Sequence, residues 1–298
     1  MSNERGAETV LNLKIDKVLG SDCSTFAIGG VLESLVTVES EADLAAFLSY
    51  SFYNKLSYGV LGNGSNILFP DAGLHYPLIK LGGGFSYVSE IGADEFEVGA
   101  GYSLIALSAK LSKVGFSGLE FACGIPASVG GGVFMNAGAF GGSLSDIILW
   151  VDIIEATGEK RRLAPSEMQF AYRRSVIPTG SVIIAVGIKL KKDDRDQIEA
   201  RRLNFMSERR AKQPLEYPSA GSIFKNPAGE KSAGYLLEEV HLKGYTVGGA
   251  MFSEKHANWI VNINREATAA DVKALILEAQ KRVRAACGIE LKTELKIL

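Results

Sequence analysis

Cysteine and histidine are scarce and scattered. Cys23, Cys123 and Cys287 are odd in number and far apart. That usage fits a reducing compartment with idle or buried thiols better than a disulfide framework. The three histidines, at 75, 241 and 256, have no close Cys or His partner, so no zinc site and no other metal site is expected. Net charge is also small: 32 Lys and Arg against 34 Asp and Glu, a formal charge of -2. The basic excess that a nucleic-acid binder needs is missing. No apolar run approaches the roughly 20 residues of a membrane span. The opening "MSNERGAETVLNLKID" is polar and carries acids, so it reads neither as a signal peptide nor as a transit peptide. A cytoplasmic protein is the expectation.

What the chain has in excess is glycine, 33 of 298 residues, roughly 11% against a typical ~7%. The glycines cluster at 82–84, 130–132 and 141–142, with pairs at 29–30, 62/64 and 248–249. Clustered glycine lets backbone approach a flat or phosphorylated ligand closely.

The element pattern is mixed. "ESLVTVES" reads as a strand, and "SEADLAAFLSYSFYNKL" as a helix capped by Ser40, with Leu44, Phe47, Leu48 and Phe52 on one face. Residues 76–102 alternate like a β-meander. A helix follows and ends at Gly115. "ILWVDIIEATGEKRRLAP" predicts a hairpin turning at Thr157-Gly158, and "SVIIAVGIKL" a further strand. A charged helix, "RDQIEARRLNFMSERRAKQP", opens a different composition, which puts a domain boundary near residue 193. The helix "TAADVKALILEAQKRVRAACG" has a capping box from Thr268 to Asp271, with Val272, Leu275, Ile276, Ala279 and Val283 facing the core.

Two glycine-bearing segments carry the chemistry. "LGNGSN", at 61–66, opens into the strand-like "ILFPD" rather than a helix, so a dinucleotide fingerprint of the Rossmann kind fails on context. Successive N–H groups there can still cradle phosphates as a nest, with a plain hairpin turn as the alternative. The run from 118 to 142 mixes glycine with Phe121, Phe134, Met135 and Phe140, plus polar Ser128 and Asn136. Close helix packing would explain it, and so would a large planar ligand laid against backbone. A third stretch, "YPSAGSIFKNP", sets Ser222 on a Gly-hinged turn just ahead of Lys225 and Asn226. It is a polar loop or a reactive hydroxyl.

"GNGSN", "SGLEFACGIPASVGGGVFMNAGAFGG", "AYRRS", "QPLEYPSAGSIFKNP", "VGGAMFSEKHANWIVN" and the terminal "ELKTELKIL" together, in this order, resemble the UDP-N-acetylenolpyruvoylglucosamine reductase family. The resemblance covers some nine tenths of the chain. It implies an α+β fold: an N-terminal segment (1–23), a two-subdomain FAD-binding domain of the vanillyl-oxidase type (24–192), and a smaller α/β substrate-binding domain (193–298). It implies non-covalent FAD, held by Gly62, Asn63, Gly64, Ser65 and Asn66 at the diphosphate. Gly124, Ile125, Pro126, Ser128, Gly130, Gly131, Asn136, Ala137 and Gly138 would line the flavin and its pyrophosphate. Arg173, Ser222 and Glu294 fall on the family's catalytic positions, and Tyr172, Lys212 and Asn226 on its substrate-binding positions. The implied reaction is NADPH-dependent reduction of UDP-N-acetylglucosamine enolpyruvate in peptidoglycan precursor synthesis, by a monomer whose partner is a small nucleotide-sugar.

Ala27 and Ala127 depart from the family's usual residues. The tyrosine-bearing insertion of one subfamily is missing between 193 and 212, which matches the shorter class. Two other readings stay open on the residues alone: an oxidase of the same flavoprotein superfamily, and a flavin-free sugar-nucleotide-binding protein.

Overall fold

Ser40 stops the chain from extending and starts a helix. Its Oγ accepts the Asp43 N–H at 3.1 Å, and the helix runs Glu41–Tyr53. Thr268 and Asp271 satisfy each other's backbone in the same way ahead of the helix Ala269–Cys287, which Gly288 ends at φ 67. Such caps supply partners for end groups that the helix itself leaves unpaired.

The computed structural model describes residues 13–298. The polar, acid-bearing opening stretch lies, through residue 12, outside the described residues. The first elements are β1 (Lys14–Leu19), β2 (Val31–Val38), α1 (Glu41–Tyr53), β3 (Gly59–Leu61), β4 (Ile67–Leu68), β5 (Leu78–Leu81), β6 (Val88–Gly92), β7 (Glu95–Gly99) and α2 (Leu104–Lys113). Next come β8 (Phe116–Ser117), α3 (Val129–Phe134), β9 (Gly138–Ala139), β10 (Gly142–Ser143), β11 (Ile148–Ile154), β12 (Lys160–Leu163), β13 (Val182–Lys189) and β14 (Lys191–Lys192). The last are α4 (Arg195–Lys212), β15 (Ser219–Ser222), α5 (Ala233–Glu239), β16 (Thr246–Val247), β17 (Ala250–Phe252), β18 (Trp259–Asn262), α6 (Ala269–Cys287) and β19 (Lys296–Ile297).

These make an α+β fold built on three sheets. The first has the order β1-β2-β5-β3, and β5 runs parallel to both its neighbours. The second, β12-β11-β13-β7-β6, is antiparallel throughout. Residues 76–102 are therefore no single meander, because β5 leaves for the first sheet while β6 and β7 edge the second. Val36, Leu44, Leu48 and Ile79 close one core against Ile154, Val182 and Ile184 of the second sheet. Phe52 stands 49% exposed while Ser51 is buried, so α1 turns a slightly different face inward than its apolar spacing predicts.

The third sheet, β15-β18-β17-β16, packs on α5 and α6. All five residues predicted for the inner face of α6 are buried, and Val272, Leu275, Ile276 and Val283 each contribute about 1.5–3 kcal/mol on leaving water. This core takes in Phe26, Ile28 and Leu68 from the first lobe. The link is reinforced where β19 pairs in parallel with β4.

Helix α4 follows the expected boundary at 193 but packs on the first lobe. Glu120 accepts from Arg201 Nε and Nη2 at 3.0 and 2.9 Å. Phe205 stacks on Phe140 with ring centroids 4.3 Å apart. The Cys123 thiol donates to the Arg202 carbonyl at 3.7 Å.

Candidate active site

The lobes meet at a cleft of about 550 Å³, into which the segments singled out from sequence converge. One wall is the loop Gly62–Asn66. No protein acceptor is described for the backbone N–H groups of Asn63, Gly64, Ser65 or Asn66. Backbone donors left unpaired in a cleft form a receptor for an anion. Gly64 has φ 66, and a Cβ there would stand 1.9 Å from the Cys23 carbonyl oxygen, so only glycine fits. A Cβ on Gly62 would meet Ser128 Oγ at 2.8 Å, which places this loop directly against the start of α3. Thr25 ties the loop to β15: its N–H donates to the Gly64 carbonyl, and its hydroxyl donates to the Ser219 carbonyl at 2.8 Å.

Gly124, Ile125, Pro126, Ser128, Gly131, Ala137 and Gly138 line the cleft beside it. Gly130 does not. It backs onto Ala100, whose Cβ a side chain at 130 would reach at 2.9 Å. Nor does Asn136 line the cleft. It is buried, with Nδ2 donating to the Ala171 carbonyl at 3.1 Å and Oδ1 accepting the Ser145 N–H at 3.0 Å. Tyr172, Lys212 and Asn226 also lie outside the lining. Tyr172 is exposed, with its ring beside the Arg173 guanidinium. Lys212 pairs with Glu208 one helical turn back. Asn226 Oδ1 accepts the Ala233 N–H at the start of α5.

Arg173, Ser222 and Glu294, distant in sequence, all face the cleft. Arg173 sits on a tight turn closed by the Ala171–Arg174 bridge, at φ 55, a left-handed conformation uncommon for a non-glycine. Its Nε stands 2.9 Å from Glu294 Oε1, an ion pair by distance whose N–H is not directed at the oxygen. Burial pushes the Glu294 carboxyl up, and Arg173 and Lys225 only partly pull it back, so the neutral acid is favoured beyond its ordinary range. Ser222 closes β15, and among the described residues its hydroxyl has no hydrogen-bond partner. Gly221 before it has φ 75 with open space around a would-be Cβ, so the backbone turn, not crowding, calls for glycine. Asn258 clamps the next residues, pairing both ends of its carboxamide with the backbone of Phe224.

Sequence reasoning missed several cleft residues, among them Arg209, Gln213, Tyr217, Trp259 and Lys296. Arg209 lies against Gly124, where a Cβ would be 2.5 Å from its Nε. No carboxylate or other acceptor pairs with it among the described residues, and burial lowers the pKa of its guanidinium. An unpaired cation in a cleft favours an anionic ligand. In sequence it is one arginine of a charged helix, and nothing local marks it.

A larger open groove, about 660 Å³, lies along α6 between Lys281, Arg284 and Glu290. It contains none of the expected site residues, and its charged walls are exposed.

The unpaired N–H groups, the glycine-only approaches and the unpaired Arg209 suit a dinucleotide with a flat ring system. Neither cysteine nor histidine lines the cleft, so a covalently tethered flavin, common among the oxidases considered above, has no anchor there. Fold and cleft together define a two-lobed FAD-binding oxidoreductase. Residues 33–164 match the FAD binding domain family, and residues 213–298 match the C-terminal domain of UDP-N-acetylenolpyruvoylglucosamine reductase. The reductase of that name from Heliobacterium modesticaldum is 44% identical over 92% of this chain and 87% of its own length. UDP-N-acetylenolpyruvoylglucosamine reductase 2 from Symbiobacterium thermophilum is 41% identical over 91% and 87%. The crystal structure of the Thermus caldophilus enzyme superposes with a TM-score of 0.83 at 37% identity, covering 96% of this chain and 99% of that one. The chain belongs to the UDP-N-acetylenolpyruvoylglucosamine reductase family.

Proposed function

We propose that Ser222, Arg173 and Glu294 carry out the proton delivery and charge stabilisation in the reduction of UDP-N-acetylglucosamine enolpyruvate to UDP-N-acetylmuramate. The family membership makes the chain a flavin-dependent oxidoreductase of peptidoglycan precursor synthesis. Bound FAD, reduced by NADPH, supplies hydride. The residues that would hold it are the N–H groups of 63–66, the Gly124–Ser128 wall and Arg209.

The observation that carries the assignment is the convergence of an unpartnered hydroxyl and a buried carboxyl–guanidinium pair on one cleft. Saturation of the substrate's terminal C3 leaves C2 with carbanion character, spread into the adjacent carboxylate. A centre that basic takes a proton even from a serine hydroxyl, so Ser222 is the general acid at C2. Arg173 faces the doubly charged carboxylate as a fixed cation. Glu294, whose pKa burial raises, donates a second hydrogen bond there when protonated. Asn226, Lys212 and Tyr172 are assigned to the rim, where they would meet the nucleotide-sugar as it enters.

We assign the protein to the cytoplasm as a monomer, with FAD domain 24–192 and substrate domain 193–298. In support, all three cysteines are free, and no helix of the described residues is long and apolar enough to cross a membrane. Sedimentation at several concentrations tests the monomer.

The test of the function is anaerobic. The FAD-loaded protein is reduced with NADPH, and the enolpyruvyl substrate is then added. Flavin reoxidation coupled to UDP-N-acetylmuramate formation is expected. A flavin that stays reduced overturns the reading.

A further inference from the structure

Two asparagines in the segments expected to hold cofactor direct their side chains elsewhere. Asn66 Nδ2 donates to the Glu294 carbonyl at 3.2 Å, and the Asn66 carbonyl accepts the Lys296 N–H at 3.1 Å. Asn136 Nδ2 donates to the Ala171 carbonyl, two residues ahead of Arg173, while its Oδ1 is held by the Ser145 N–H. Each carboxamide thus ends on backbone that carries one member of the Arg173–Glu294 pair. The two tethers come from different segments, one from the 62–66 loop that lines the cleft and one from the residues after α3.

The tethered segments need holding. Arg173 adopts φ 55, which a non-glycine keeps only where its surroundings impose it. Ser175 adds a further tie, its hydroxyl donating to the Phe134 carbonyl at 2.8 Å. On the far side Lys225 Nζ donates to the Arg173 carbonyl at 3.3 Å. Glu294 lies in a terminal segment where only Lys296–Ile297 is regular strand. Its N–H donates to the carbonyl of Ile223, next to Ser222, at 2.8 Å. Asn136 is 7% exposed, and the Ala171 carbonyl it reaches also accepts the Arg174 N–H at 3.1 Å, so removal of its donor takes away the turn's tie to the segment after α3 while the turn's own bridge remains.

We propose that Asn66 and Asn136 are positioning residues, which lock the terminal acid to the 62–66 loop and the arginine turn to the segment after α3. This rests on the reading above that Arg173 and Glu294 act on the substrate carboxylate.

The test uses Asn66→Ala and Asn136→Asp in the full chain. Aspartate keeps the size and the acceptor for Ser145 and tolerates the left-handed backbone (φ 42) at 136, but loses the donor. Three quantities are measured: FAD affinity by titration of the apoprotein, flavin reduction by NADPH, and flavin reoxidation by the enolpyruvyl substrate. Reoxidation is expected to slow by about 10- to 100-fold, the scale of a small misplacement of reacting groups, with FAD affinity and reduction changed little. Equal loss of FAD affinity and of both half-reactions would make the asparagines cofactor contacts or general scaffold, and unchanged reoxidation would remove their role. Either result overturns the proposal. If Asn136→Asp does not fold, Asn66→Ala alone decides it. A wild-type protein that fails to reoxidise rejects instead the function on which the proposal rests.

Discussion

Arg173 and Glu294 face each other at 2.9 Å with their side chains 25% and 14% exposed. The pair is close and largely desolvated, yet the arginine N–H is not aligned on the carboxylate oxygen. The Arg173 Nε–H is thus left without a hydrogen-bond partner among the described residues. Glu294→Gln, which keeps a donor and removes titration, is expected to retain a measurable part of the reoxidation rate. Glu294→Ala should lose about 100-fold or more, as when one donor to a developing charge is removed. Stopped-flow reoxidation distinguishes them. An alanine variant as fast as glutamine would discard the donor role.

Glu294 also sets a pH dependence. Its folded pKa lies above the ordinary 4.5 because burial outweighs Arg173 and Lys225. The folded state therefore holds this proton more tightly than the unfolded chain. Its contribution to stability is full below 4.5 and is lost as pH rises through the folded value. Urea unfolding at stepped pH should show wild type losing stability across that window relative to Glu294→Gln. The reoxidation rate should decline over the same range only in wild type.

Ser222→Ala should slow reoxidation by about 10²- to 10⁴-fold, the usual worth of a positioned general acid, while NADPH still reduces the flavin. Ser222→Cys, which restores an acidic proton, should recover part of it. Loss of both half-reactions in the alanine variant would remove the serine from proton delivery.

The glycines separate backbone from space. Gly64→Ala puts a Cβ 1.9 Å from the Cys23 carbonyl at φ 66, and should prevent stable folding or abolish FAD uptake. Gly221→Ala meets no atom within 4 Å, so its penalty should be only the conformational ~1–2 kcal/mol. Its larger effect should fall on reoxidation, through the displaced Ser222. Urea midpoints and flavin absorbance of the purified variants check both.

Glu120 holds α4, and with it Arg209, to the first lobe. Burial alone would raise its pKa, but the Gly118 N–H, the Ser117 hydroxyl and Arg201 outweigh it, so the folded value falls below 4.5. The stabilisation is present above 4.5 and is lost as pH drops through the folded value. Glu120→Ala should destabilise by about 1.5 kcal/mol, the low end for hydrogen bonds to a charged group, because Arg201 is 40% exposed and keeps Asp193 as a partner. FAD affinity should weaken with it. An unchanged urea midpoint would contradict this.

Local features of the chain are legible wherever a few neighbouring residues settle the outcome. The Ser40 cap, the Thr268–Asp271 box, the inner face of α6, the Gly158 turn and the glycine-only loop at 62–66 all follow from local hydrogen bonding, periodicity or backbone freedom. The motif order was enough to name the family and to select Arg173, Ser222 and Glu294. Tertiary structure alone decided that β5 joins β2 and β3, that α4 docks on Glu120 and Phe140, and that Arg209, Gln213 and Trp259 wall the cleft. It also turned Asn66 and Asn136 toward the Arg173 and Glu294 segments. Those outcomes depend on which distant surfaces bury each other, and a long-range contact leaves no signature in the residues beside it.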